Sequence, residues 1–67
     1  MKQTIGNEIR RIIAERKAVR SPFYFATSIE VSNRTGIPVS QVEKIARDIP
    51  GIKIGKTLNY EHYSFPS

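Results

Sequence analysis

Apolar residues recur in the first third of the chain at the spacing of one helix face. They are Ile5, Ile9, Ile12 and Ile13. Residues three or four apart lie on the same side of an α-helix, so this pattern predicts helix 1 from about residue 4 to about residue 18. Thr4 is the expected N-cap. Ser21-Pro22 ends the helix, because proline disfavours helical geometry in the residue before it.

Two shorter helices follow in the middle of the chain. Thr27-Ser28-Ile29-Glu30 has the spacing of a capping box, and Gly36 suits a left-handed helix end, so helix 2 is expected at about 28–35. Helix 3 is expected at about 39–49, beginning at Pro38 or Val39 and ending before Pro50-Gly51.

The C-terminal residues alternate between apolar and polar side chains, as strands do. Residues 52–65 therefore predict a β-hairpin with its tip at Gly55 to Asn59. Tyr60, Tyr63 and Phe65 are expected to pack against helices 1 and 3. Residues 23–26 are rich in strand-forming side chains and indicate either a short strand before helix 2 or an apolar linker. The 67 residues are too few for a second core, so we expect one small α+β domain.

Residues 27–49 closely resemble the helix-turn-helix of bacterial and phage regulators. The resemblance rests on Glu30-Val31-Ser32, on Thr35-Gly36-Ile37-Pro38 and on the spacing of Val42 and Ile45. Ser32 replaces the more usual alanine, and Pro38 stands where a Ser or Thr cap is often found. With the leading helix and the following hairpin, the resemblance extends to the winged helix-turn-helix DNA-binding domains and covers most of the chain, without assigning a subfamily.

This resemblance implies that helix 3 enters the major groove of double-stranded DNA while the hairpin, or wing, rests on the backbone. It implies a transcriptional regulator or a mobile-element accessory protein. The net charge of +5 and the pI near 10.0 favour a polyanionic partner. The charge is uneven, however, because residues 1–21 hold six basic and two acidic side chains, a net +4.

Three groups of residues are the predicted DNA contacts. On a helical wheel, the face of helix 3 opposite its apolar residues supplies the groove-facing group, of which Arg47 suits a bidentate contact with guanine. The groove group is Ser40, Gln41, Lys44 and Arg47; the wing and backbone group is Lys53, Lys56, Thr57 and Asn59; the auxiliary phosphate group is Arg16, Lys17 and Arg20. Each group also has a plainer interpretation as a solvated charged surface.

Several functions find no support in the sequence. The chain has no cysteine and a single histidine, His62, so we expect no metal site, no cofactor and no enzyme activity. No apolar run approaches the length of a membrane span, and no small-molecule site is evident. The N-terminus lacks the apolar region of a secretory signal, and the expected location is cytoplasmic.

Two other partners remain open. The same fold could dock a protein on helix 3, with Val39 and Leu58 as apolar anchors, or bind RNA or the ribosome through its basic N-terminal helix. A single module of this size buries little surface on DNA, so useful affinity would require a homodimer, neighbouring sites or a partner protein.

Overall fold

The computed structural model describes residues 1–57 and 59–66. Its elements are α1 (Lys2–Ala18), β1 (Ala26–Thr27), α2 (Ser28–Thr35), α3 (Val39–Ala46), β2 (Lys53–Thr57) and β3 (Tyr60–Ser64). The strands form an antiparallel sheet in the order β1-β3-β2. The small α+β class, the three helices, the hairpin and a short strand before α2 are therefore confirmed, and the strand lies at residues 26–27 rather than 23–26.

Helices α1 and α2 begin differently, because α2 has a side-chain N-cap and α1 has none. Helix α1 begins at Lys2, so the predicted Thr4 cap is wrong and Thr4 lies inside the first turn. At α2 the capping box is present: the Glu30 amide donates to Thr27 Oγ1 at 3.1 Å, and the Thr27 amide donates to the Glu30 carboxylate at 3.3 Å. Gly36 closes α2 in the left-handed conformation with φ 76°, which glycine adopts without a Cβ clash.

Helix α3 is shorter than the apolar pattern predicts. It ends at Ala46 rather than at residue 49. The next turn tightens, since the Asp48 amide donates to the Ile45 carbonyl at 3.0 Å and the Ile49 amide to the Ala46 carbonyl at 3.1 Å. These bonds span three residues instead of four, a common way for a helix to end.

The hairpin is paired closer to its tip than the sequence indicates. Gly55, Lys56 and Thr57 pair with β3 in regular register and belong to β2, so the predicted tip of 55–59 is too long. Gly55 faces His62, and a Cβ built on Gly55 would lie 2.2 Å from His62 Cε1. The His62 ring in turn packs on Phe25, with ring centroids 4.9 Å apart. Glycine is thus required at position 55 by the ring opposite it.

The core lies where α1, α2 and α3 meet one face of the sheet. Its buried apolar members are Ile5, Ile9, Ile12, Ala26, Val31, Val42, Ala46, Ile49 and Tyr63. Phe65 packs against this core as predicted, whereas Tyr60 is half-buried and stands outside it. Tyr60 is three residues from Tyr63, and alternation along a strand places it on the other face of the sheet.

Within residues 1–57 and 59–66, no helix has the length and apolar character needed to cross a membrane.

Candidate nucleic-acid interface

Helix α3 presents a polar face to solvent. Ser40, Gln41 and Lys44 are exposed, while Val42 and Ala46 on the opposite face are fully buried. Burial of those two apolar side chains holds the helix against the rest of the domain, and the polar face follows from the helical period. The groove-facing residues predicted within the helix therefore share one accessible surface.

Glu43 contributes less to that surface than its sequence position suggests. Its Oε2 atom accepts a 3.4 Å hydrogen bond from Ser28 Oγ at the first residue of α2, and the side chain is half-buried. Asp48, beyond the end of α3, is exposed. The carboxylate of Glu43 is thus drawn toward α2, which leaves the lysine of α3 as the charge on its exposed face.

Arg47 links the end of α3 to the hairpin. It is the C-cap residue of α3, its side chain is 66% exposed, and its Nη2 lies 3.4 Å from Glu61 Oε2. A guanidinium has five N–H donors, so this single contact leaves the others available. Arg47 is anchored at one nitrogen and accessible at the rest.

Glu61 is a buried carboxylate that no motif in the sequence indicated. Only 6% of the residue is exposed; its Oε1 accepts from the Tyr63 hydroxyl at 3.0 Å, and its amide donates to Ser28 Oγ at 3.3 Å. Burial is the larger cause, and the contact with Glu61 the smaller, of a pKa of the Tyr63 hydroxyl well above its usual range. Strand alternation could have revealed this site, because it places Glu61 on the same face as Tyr63, which was expected in the core.

The predicted wing residues divide between the two faces of the hairpin. Lys56 pairs with Glu61 and shares its face, on the side of the helices, whereas Lys53 and Thr57 lie on the opposite face. All three side chains are exposed, as is Asn59. The structure therefore brings Lys56 close to the Glu61–Arg47 contact and separates Lys53 from it.

The predicted auxiliary phosphate contacts have three different environments. Arg16 donates to the Phe25 carbonyl at 2.9 Å and forms an ion pair with Glu30, so its guanidinium serves the fold. Lys17 is exposed, with its Nζ 6.0 Å from the centre of the Tyr24 ring. Arg20 is also exposed and has φ 55°, a left-handed backbone in the turn after α1.

An exposed ion-pair network joins α1 to α2. Arg34 contacts Glu15 at 2.6 Å and Glu8 at 3.4 Å, and Arg11 contacts Glu8 at 3.2 Å. The hydrogen bond from Arg34 lowers the pKa of Glu15, and the same bond raises that of Arg34. Arg11 and Arg34 are thus neutralised by carboxylates of α1.

The anchors of the alternative protein-docking hypothesis are only partly described. Val39, at the start of α3, is half-buried. Leu58 lies outside the described residues. No family model, curated protein or solved structure matches the chain.

Proposed function

We propose that this protein binds double-stranded DNA as a winged helix-turn-helix module, with α3 in the major groove and the β2–β3 hairpin against the adjacent backbone. The order of the elements and the three-stranded antiparallel sheet are compatible with such a fold. The exposed polar face of α3 has the dimensions to enter a major groove, which admits one helix.

The observation that carries the proposal is the meeting of α3 and the hairpin at Glu61. Arg47 contacts this carboxylate from the end of α3, and Lys56 is its register partner on β2. Lys44 and Arg47 supply basic side chains from α3 and its end, and Lys56 supplies one from the neighbouring hairpin. Duplex DNA offers base edges to the helix and phosphates to the hairpin.

Neutral donors complete the proposed contact surface. Ser40 and Gln41 are exposed near the start of α3, while Thr57 and Asn59 are exposed near the end of the hairpin. Hydroxyl and amide groups bind both phosphates and base edges. We propose a regulatory or mobile-element accessory role, in which a second copy or a partner protein adds the affinity that one small module lacks.

Fluorescence anisotropy with labelled random-sequence duplex DNA tests the proposal at two salt concentrations. We expect binding that weakens steeply as salt rises, because each phosphate contact releases counterions. Lys44→Ala should weaken binding, whereas Lys2→Ala, an exposed lysine at the start of α1, should not. Absence of binding at low salt, or better competition by duplex RNA than by duplex DNA, would contradict the proposal.

A further inference from the structure

A groove runs between α1 and the residues that follow β3. Its volume is about 320 Å³, and it is lined by Arg10, Ile13, Ala14, Lys17, Phe65 and Pro66. The floor is apolar, and the two cations come from one flank of α1. The Arg10 guanidinium carbon lies 4.4 Å from the centre of the Phe65 ring, a cation–π contact.

A second groove of about 330 Å³ lies beside the segment that precedes β1. Its lining includes Tyr24, Phe25, Lys53, Ile54 and His62. The two grooves adjoin, because Lys17 of the first reaches the Tyr24 ring of the second. Ser64, which also lines the second groove, immediately precedes Phe65 of the first. We call the two grooves together the basic-apolar surface.

Large apolar side chains stand exposed at this end of the molecule. Phe23 is 60% exposed and Tyr24 49%, both within the segment that joins α1 to β1. Phe23 also contacts Phe25 of the second groove, with centroids 5.6 Å apart. Apolar residues clustered on a surface and surrounded by charge mark an interaction site more often than isolated ones do.

The charge of the basic-apolar surface has one sign. Its charged lining residues are Arg10, Lys17 and Lys53, with no carboxylate among the described residues that line either groove. Elsewhere on the helices, Arg16 pairs with Glu30 and Arg34 with Glu15. Arg10 and Lys17 of α1 face the first groove, and they account for part of the excess charge at the N-terminal end of the chain.

We propose that the basic-apolar surface docks an acidic segment of a partner protein that carries apolar side chains between its carboxylates. Apolar side chains would enter the two grooves, and carboxylates would meet the three cations at their edges. Interfaces commonly combine aromatic and arginine residues at the centre with complementary charge around them. None of the described lining residues belongs to α3, so the surface lies apart from the helix proposed to enter the major groove. Its second groove does include residues of the hairpin.

The arrangement of the aromatic rings favours a peptide over a single-stranded nucleic acid. Successive bases need free ring faces on which to stack. Here the Phe25 ring packs on His62, and Phe23 meets Phe25 edge-on at 60°. These features suit aliphatic and aromatic side chains of a protein.

The test is selection from a display library of random short peptides against the full chain, followed by NMR titration of the ¹⁵N-labelled protein with the strongest peptide. We expect enrichment of peptides that combine Asp or Glu with Leu, Phe or Trp. The largest amide shifts should fall in residues 10–17, 23–25 and 62–66. Peptides without acidic residues, or shifts confined to α3, would overturn the proposal.

Substitutions on the surface make the test specific. Lys17→Glu and Tyr24→Ala change exposed side chains, and each should weaken the selected peptide by about tenfold, as expected for anchor residues of an interface. Lys44→Glu, on α3, is the matched control and should leave peptide affinity unchanged. Equal losses in all three variants, or displacement of the peptide by oligothymidine, would also overturn the proposal. Failure of the protein to bind duplex DNA would neither support nor overturn the peptide-docking proposal.

Discussion

Two charge networks connect elements of this domain, and they differ in their access to water. Beneath the end of α3, the Glu61 side chain is 8% exposed and meets Tyr63 and Arg47. Between α1 and α2, Glu15 and Arg34 have side chains that are 51% and 36% exposed. The first network lies between the helices and the sheet, and the second lies on the surface.

Contact distance alone would wrongly predict that the exposed network contributes more to stability than the buried one. The Arg34–Glu15 contact is 2.6 Å and the Arg47–Glu61 contact is 3.4 Å. Water and salt screen the shorter contact, so that exposed pairs of this kind contribute little to stability. Glu61 matters more because its removal would strand a buried hydroxyl, and an unsatisfied buried polar group is costly.

The largest change is expected for Glu61→Ala. It leaves the Tyr63 hydroxyl without its acceptor and should lower the free energy of unfolding by about 1–3 kcal/mol. Urea denaturation measures the loss. Glu15→Ala is the matched control in the exposed network and should change the midpoint only slightly. If the two variants lost the same stability, burial would not distinguish the networks.

The next effect concerns binding as well as folding. Arg47→Ala should weaken DNA binding by about tenfold, the low end for loss of a bidentate base contact. Its stability should also fall, because the buried Glu61 carboxylate loses its cationic partner. The loss should be smaller than in Glu61→Ala, since the Arg47 side chain is 66% exposed and Glu61 keeps its hydrogen bond from Tyr63. Anisotropy and urea denaturation on the same variant separate the two effects. Unchanged DNA affinity together with reduced stability would restrict Arg47 to a structural role.

The local signals in the sequence predicted the fold well. The capping box at Thr27 and Glu30 and the left-handed Gly36 could be predicted from the sequence, because each depends only on neighbouring residues. The end of α3 was less predictable, since the apolar period continues to Ile49 while the backbone tightens after Ala46. Periodicity reports which side chains are buried and does not specify the hydrogen-bonding pattern of the last turn.

The proposed interface was harder to predict because it depends on contacts between distant residues. Arg47 and Glu61 are far apart in sequence. Their contact follows from the packing of β3 against α2 and α1, which places Glu61 beneath the end of α3. The sequence could have predicted that Lys53 and Lys56 lie on opposite faces of the hairpin, because residues an odd number apart along a strand point to opposite sides. The pairing of Arg16 with Glu30 required the packing of α1 against α2.

A smaller loss is expected for Tyr63→Phe. It removes one buried hydrogen bond to Glu61 and should cost about 1 kcal/mol at neutral pH. Burial raises the folded-state pKa of Tyr63 above its usual 10.0, so the unfolded state loses its proton first as pH rises. The stabilisation is present below pH 10.0 and is lost above it.

Urea denaturation of both proteins across this pH range measures the effect. Wild type should lose stability above pH 10.0 more steeply than Tyr63→Phe, which has no hydroxyl at this site to titrate. Tyr24→Phe, at an exposed ring, is the matched control and should retain the steep loss. Parallel curves for wild type and Tyr63→Phe would mean that the Tyr63 hydroxyl is not responsible.

The smallest effect is expected in the exposed network, at acid pH. The hydrogen bond from Arg34 lowers the folded-state pKa of Glu15 below its usual 4.5. The stabilisation is therefore present above pH 4.5 and disappears as pH falls through the lower folded-state value. Arg34→Ala should be slightly less stable than wild type at neutral pH, and the difference should vanish in acid and shrink in high salt. Calorimetric melting of both proteins across this pH range measures the difference in stability. A difference that did not change with pH or salt would indicate that the Arg34 stem stabilises the fold by packing rather than through its charge.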